Sequence, residues 1–234
     1  MPGELSKSDY KPFLSIKVGK LRVKADKTTP NATYREYTLQ SGAVGSTYEI
    51  VYDTWTDRLN KLEVVDGKFG TVLQVRMEEA TLSVPYGSKE MTHIISKIAS
   101  MDFSSPTLKF APYQFQEDSG KEIRGVNVFQ NDVKLPDYYQ QYDKETKTWT
   151  RKEGFPVAKT GVVTKAGWKL YYANVADFLA SELEVINAQL EKASPKRNEA
   201  PLTPIKPISD EDIPTIEYPD YPQEKEVNLA DVPF

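Results

Sequence analysis

Between residues 13 and 24 the chain alternates. Leu14, Ile16 and Val18 fall on one side, Leu21 and Val23 resume the pattern after Gly19, and Phe13, Lys17, Lys20, Arg22 and Lys24 fall on the other. A period of two predicts a strand with one apolar and one basic face, bent or bulged at the glycine. Residues 33–39 (TYREYTL) read as a short strand or an ordered loop, and the serines and glycines of 41–46 as a turn or flexible loop. Strands are expected at 47–53 and 56–65, with a turn at Asp66-Gly67-Lys68 that fits a hairpin into a strand over 70–77. A further strand is expected over 80–84.

The period then changes. Met91, Ile94, Ile95, Ile98 and Met101 recur at helical spacing behind Ser88, a suitable N-cap. Strand patterns return at 107–116 and 122–129 around the turn-forming residues 117–120. This order predicts a mainly β protein, a Greek-key barrel of the OB-fold type with one helix inserted between its third and fourth strands. A Tyr-rich extension over 132–172 follows, with Tyr138, Tyr139, Tyr142 and Trp149 around a polar turn at 143–147. Val175, Leu179, Leu183, Ile186 and Leu190 then predict a closing helix over 174–193, capped by Asn174 and ended before Pro195. No repeat of domain size and no heptad array is present.

Eight of the 16 prolines fall after Ser194. Proline removes backbone donors and breaks helices, so residues 194–234 are expected to form a disordered tail behind a binding domain of residues 1–193. Charge divides at nearly the same place. Residues 207–234 hold eight acids against the single base Lys225, a net −7, which leaves +3 on residues 1–206 of a chain whose total is −4. A mildly basic body thus carries a strongly acidic tail.

Composition narrows the chemistry. Without cysteine there is no disulfide scaffold, thiolate metal site or thiol nucleophile. The single histidine, His93, sits beside an apolar stripe and has no second histidine to help it bind metal or cycle protons. Residues 41–46 lack the P-loop arrangement. Glu78 and Glu79 face opposite ways on a strand, and Asp210, Glu211 and Asp212 lack a rigid frame, so neither set suits a metal. A non-enzymatic protein without cofactor or metal is expected. No segment approaches the ~18 apolar residues of a membrane span and the N-terminus has no apolar signal region, so a cytoplasmic location is expected.

What the body does carry is cations interleaved with flat side chains, the pair of features that single-stranded nucleic acid requires for its phosphates and its bases. The candidate DNA-binding residues are Lys20, Arg22, Lys24, Tyr34, Arg35, Tyr37, Trp55, Arg58, Lys61, Arg76 and Tyr113. Tyr48, Tyr52, Lys109, Arg124 and Phe129 lie in the same strands, where aromatics also serve packing alone.

The chain ends Asp231-Val232-Pro233-Phe234. A terminal ring can fill an apolar pocket while its carboxylate and the Asp231 side chain meet basic groups at the rim. This ending resembles the D-[ILV]-P-F tip of bacterial single-stranded DNA-binding proteins, and with the β-rich body the chain resembles the bacteriophage OB-fold single-stranded DNA-binding proteins. Two departures stand out: acids are sparser before the tip than in the bacterial tail, and a related Asp212-Ile213-Pro214 lies internally without a free carboxylate. The resemblance implies sequence-independent single-strand binding in phage replication, recombination or repair. It also implies residence in the host cytoplasm and recruitment of polymerase, helicase-primase or nuclease partners through Asp231, Val232, Pro233 and Phe234. Electrostatics adds that a tethered −7 segment competes with DNA for a basic groove. Two other readings fit the same residues: a replication or virion scaffold whose β domain binds protein, and a magnesium nuclease built on Glu49, Asp53 and Asp57.

Overall fold

The computed structural model describes residues 11–38, 42–67, 70–118, 120–158 and 164–193, with Lys165 described by its backbone alone. All belong to a unit spanning Met1–Pro195; a second unit, Lys196–Phe234, lies outside the described residues, and with it the tip Asp231, Val232, Pro233 and Phe234.

The body is mainly β. Its strands are β1 (Phe13–Lys17), β2 (Lys20–Ala25), β3 (Thr33–Thr38), β4 (Val44–Tyr52), β5 (Trp55–Gly67), β6 (Gly70–Met77), β7 (Thr81–Pro85), β8 (Thr107–Gln116), β9 (Glu122–Gln130) and β10 (Val133–Lys134). The helix α1 (Lys89–Ile98) stands between β7 and β8, and Ser88 caps it by accepting from the Met91 N–H at 3.1 Å. Ten strands form one sheet in the order β10-β9-β8-β5-β6-β7-β1-β2-β4-β3. The sheet does not close on itself: β10 and β3 are its two edges.

The stretch over 13–24 is a hairpin rather than one bent strand. Leu14 pairs with Val23 and Ile16 with Leu21, and the two turn residues, Val18 and Gly19, have φ of 51° and 66°. Positive φ at both central positions matches the twist of the flanking strands, although a β-branched residue rarely adopts it. The turn is held from outside. A Cβ placed on Gly19 would lie 2.5 Å from the Gln114 nitrogen, so the turn packs directly on the backbone of β8. Val44 to Ser46, expected as loop, instead open β4 and pair with β3.

The pairings of β5 and β7 set the course of the open sheet. β5 is shared: Trp55 to Arg58 pair with β8, and a register shift between Leu59 and Lys61 then passes the strand to β6. Beyond that point the other edge of β5 is covered by a helix side chain, Asn187, which donates to the Leu62 carbonyl at 2.7 Å and accepts from the Leu62 N–H at 2.9 Å. β7 in turn pairs with β6 on one side and in parallel with β1 on the other, which inserts the β1–β2 hairpin and β4–β3 into the ladder.

Alternation places Leu14, Leu21, Leu62, Leu73, Val75, Leu82 and Val84 on one face, all buried, where they meet Met91, Ile94, Ile95 and Ile98 of α1. The extension forms a separate hairpin of β11 (Gln140–Asp143) and β12 (Thr148–Arg151). Two helices follow, α2 (Lys165–Ser181) and α3 (Leu183–Ala193). The expected stripe Val175, Leu179, Leu183, Ile186 and Leu190 is buried as the pattern required. The single helix expected over 174–193 is instead two, divided at Glu182, and its start differs: Thr164 caps α2 by accepting from the Gly167 N–H at 3.1 Å, and Asn174 lies exposed within the helix. None of the described helices is long and apolar enough to cross a membrane.

Candidate nucleic-acid interface

The face opposite the core runs across seven neighbouring strands, β5-β6-β7-β1-β2-β4-β3. Cross-strand partners share a face, so the register places Glu63, Gln74, Ser83, Ser15, Arg22 and Val51 in one row. A second row contains Lys61, Arg76, Thr81, Phe13, Lys24, Glu49 and Thr33. Lys17 pairs with Lys20 at the hairpin end, and Arg35 and Tyr37 continue the face on β3. Lys17, Lys20, Arg22, Lys24, Arg35, Lys61 and Arg76 are thus seven cations on one surface, against three carboxylates, Glu49, Asp53 and Glu63.

Glu49 organises the middle of this face. Its side chain is 6% exposed. Arg35 donates to both oxygens, through Nε at 2.9 Å and Nη2 at 2.8 Å, while Arg22 Nη1 donates at 3.0 Å and Lys17 Nζ at 3.5 Å. The Arg35 and Arg22 hydrogen bonds, with the nearby Lys17 charge, outweigh burial and hold the Glu49 carboxyl down at about 2. One acid therefore fixes three cations in place while leaving the group positively charged. Lys61 at 3.1 Å and Arg76 bracket Glu63 in the same manner, and the surrounding cations hold that carboxyl below its usual range despite burial. Lys24 has no carboxylate partner among the described residues.

Two rings accompany the cations. Phe13 is half exposed, and Tyr37 lies flat on Gly45, where a Cβ would come within 2.6 Å of its ring. The Arg35 guanidinium sits 5.1 Å from the centre of that ring. Phe13, Ser15, Lys17, Lys24, Tyr37 and Thr47 line a groove of about 670 Å³ here.

The structure thus brings together Lys20, Arg22, Lys24, Arg35, Tyr37, Lys61 and Arg76, and sets four other candidates apart. Tyr34 points to the opposite face, against Tyr48 at 5.4 Å. Trp55 packs edge-on against Tyr52 at 5.2 Å and donates its indole N–H to Asp57 at 3.3 Å. Arg58 stands before the register shift, beside Thr107 of β8. Tyr113 stacks on His93 of α1. Sequence reasoning put Phe13 and Lys17 on the basic face without assigning them to the site, and it missed the role of Glu49. An isolated acid in a basic, alternating strand cluster was the available signal for that role.

The three carboxylates of the nuclease reading each have other partners. Glu49 is held by its three cations, Asp53 pairs with Lys20, and buried Asp57 accepts the Glu79 N–H at 3.0 Å. No protein-family model, curated protein or solved structure matches the chain.

Proposed function

We propose that the chain binds single-stranded DNA without sequence preference, in phage DNA replication, recombination or repair, and that its basic sheet face is the binding surface. The observation that carries this reading is the continuous face of seven cations and two half-exposed rings, pre-set by Glu49 and Glu63. Cations held at fixed spacing suit a phosphate backbone, and Phe13 and Tyr37 suit stacked bases, whose rings offer a π-face whatever the base. We read β5, β6, β7, α1, β8 and β9 as an OB-like unit: β5 pairs with both β6 and β8, the helix falls between the third and fourth strands, and the β1–β2 hairpin takes the place of barrel closure. The acidic tail recruits replication proteins, whether polymerase, helicase-primase or nuclease, through Asp231, Val232, Pro233 and Phe234.

Titration of labelled oligo-dT at two salt concentrations, with duplex of equal length as competitor, tests this directly. Tight binding that weakens as salt rises and resists duplex is the expected result. Lys24→Ala should reduce the salt slope by about one, and Tyr37→Ala should weaken binding at least about fivefold at every salt concentration. Absence of binding at low salt would overturn the reading. Deleting residues 207–234 should tighten oligo-dT binding at low salt and have little effect at high salt, because only unscreened charge competes; equal affinity at low salt would remove the competition.

A further inference from the structure

A second cleft, of about 360 Å³, lies away from the basic face between α1, the β8–β9 pair, the β11–β12 hairpin and α2. Its lining combines rings with buried polar groups. Trp149 of β12 is half exposed, braced by Tyr142 at 5.0 Å and overlain by the Arg151 guanidinium at 5.6 Å. Tyr172 of α2 presents a second half-exposed ring, itself stacked on Trp168 at 6.0 Å. The hydroxyl of Ser96, a residue 3% exposed on α1, has no hydrogen-bond partner, which is costly for a buried polar atom unless something else fills the site.

His93 adds a donor of fixed direction. Its Nδ1 accepts the Val126 N–H at 3.3 Å, and burial holds the imidazole pKa below its usual value, so the ring is neutral with its proton on Nε2. At the mouth stand Lys89 and Arg124, the latter paired with Glu90 at 3.3 Å, and Asp137 is held by Lys97 at 2.8 Å. Flat walls, edge donors and acceptors, and the cations Lys89 and Arg124 suit a planar heterocycle carrying a phosphate.

The cleft also has a connection to the basic face. The Val18-Gly19 turn, flanked by Lys17 and Lys20, rests on the β8 backbone at Tyr113 and Gln114, and the Tyr113 ring lines the cleft. We infer that the cleft receives one unstacked base of the bound strand, sandwiched by Trp149 and Tyr172 and held at its edge by Ser96 and His93, where the strand leaves the groove past the β1–β2 turn. The inference rests on the single-strand reading of the basic face and extends its path to the C-terminal extension.

The test is photocrosslinking of the full chain to oligo-dT carrying 5-iododeoxyuridine, with peptide mapping, alongside binding titrations. Crosslinks in peptides holding His93, Trp149 or Tyr172 are expected. Trp149→Ala and Tyr172→Ala, on different elements, should each abolish the cleft crosslinks and weaken oligo-dT binding about fivefold, the loss of one stacking contact. Crosslinks confined to peptides holding Phe13 and Tyr37, with wild-type affinity in both variants, would overturn the cleft as a base site while leaving the groove intact. Failure of the wild-type chain to bind oligo-dT at all would overturn both.

Discussion

Glu49→Gln is expected to lower the unfolding free energy by about 3 kcal/mol, a fall in Tm on the order of 6 to 12 °C. The carboxylate is buried, and its neighbours Arg22 and Arg35 are themselves mostly covered, with 16% and 26% of their side chains exposed. Removing the charge leaves guanidiniums in partial burial without a counter-charge, which costs more than the pair itself contributes. A similar magnitude follows from protonation: the folded surroundings hold the carboxyl down at about 2, against the ordinary 4.5 of the unfolded chain, and each unit is worth about 1.4 kcal/mol. Because the folded value is the lower one, the stabilisation is present in full above about pH 4.5 and is lost as pH falls toward 2. Urea unfolding of wild type and Glu49→Gln across that range measures it. The two curves should converge at the acid end, and a constant gap between them would remove the ion cluster as the cause. The variant that remains folded should bind oligo-dT with a steeper salt dependence, since three cations have lost their internal partner.

Gly19→Ala is expected to cost roughly 2 to 5 kcal/mol, from a left-handed backbone and an enforced overlap together. Gly19 has φ of +66°, and its missing side chain is the space into which the Gln114 nitrogen fits, at 2.5 Å from an ideal Cβ. The atoms it would meet, the Gln114 nitrogen and Cβ and the Tyr113 carbonyl carbon, include no free side-chain end that could yield. Gly42 provides the comparison: its φ is +83°, yet nothing lies within 4 Å of a Cβ there. Gly42→Ala should therefore cost only the conformational part, about 1 kcal/mol. Equal losses in the two variants, measured by urea unfolding, would show that the turn does not depend on its seat against β8.

Much of the sheet was legible because its signal is local. β8 and β9 alternate cleanly, residues 88–101 switch to a helical period behind a serine cap, and the hairpin into 70–77 forms as expected, although Asp66 and Gly67, read as its turn, pair with Thr71 and Gly70 inside the strands. The hairpin at Val18-Gly19 was not legible, since valine at a positive φ contradicts local preference and is imposed by β8, almost a hundred residues away. The start of α2 was hidden for a related reason: Trp168, Leu170 and Tyr172 are exposed, so the first turns of the helix show no buried stripe to read. At the site, the charges of β2 were visible as a face, but only cross-strand register reveals that Arg22 and Arg35 meet on one acid and that Tyr34 points the other way. The cleft is built from α1, β8, β9, β12 and α2, and no stretch of sequence contains it.

The parallel pairing of β1 with β7 also sets an order of events in time. The β1–β2 hairpin closes over two residues, a step of roughly 1 to 10 μs for an isolated hairpin. Its parallel partner lies at the far end of the stretch from Phe13 to Thr81, so on a ribosome the hairpin must wait, one edge bare, until β7 has been synthesised. Pairings of such long sequence separation slow folding, and here they join the N-terminal strands to the rest of the sheet. The part of the basic face on β1 to β4 can therefore pair within itself first, and the face is completed only when β5, β6 and β7 join it and bring Lys61 and Arg76.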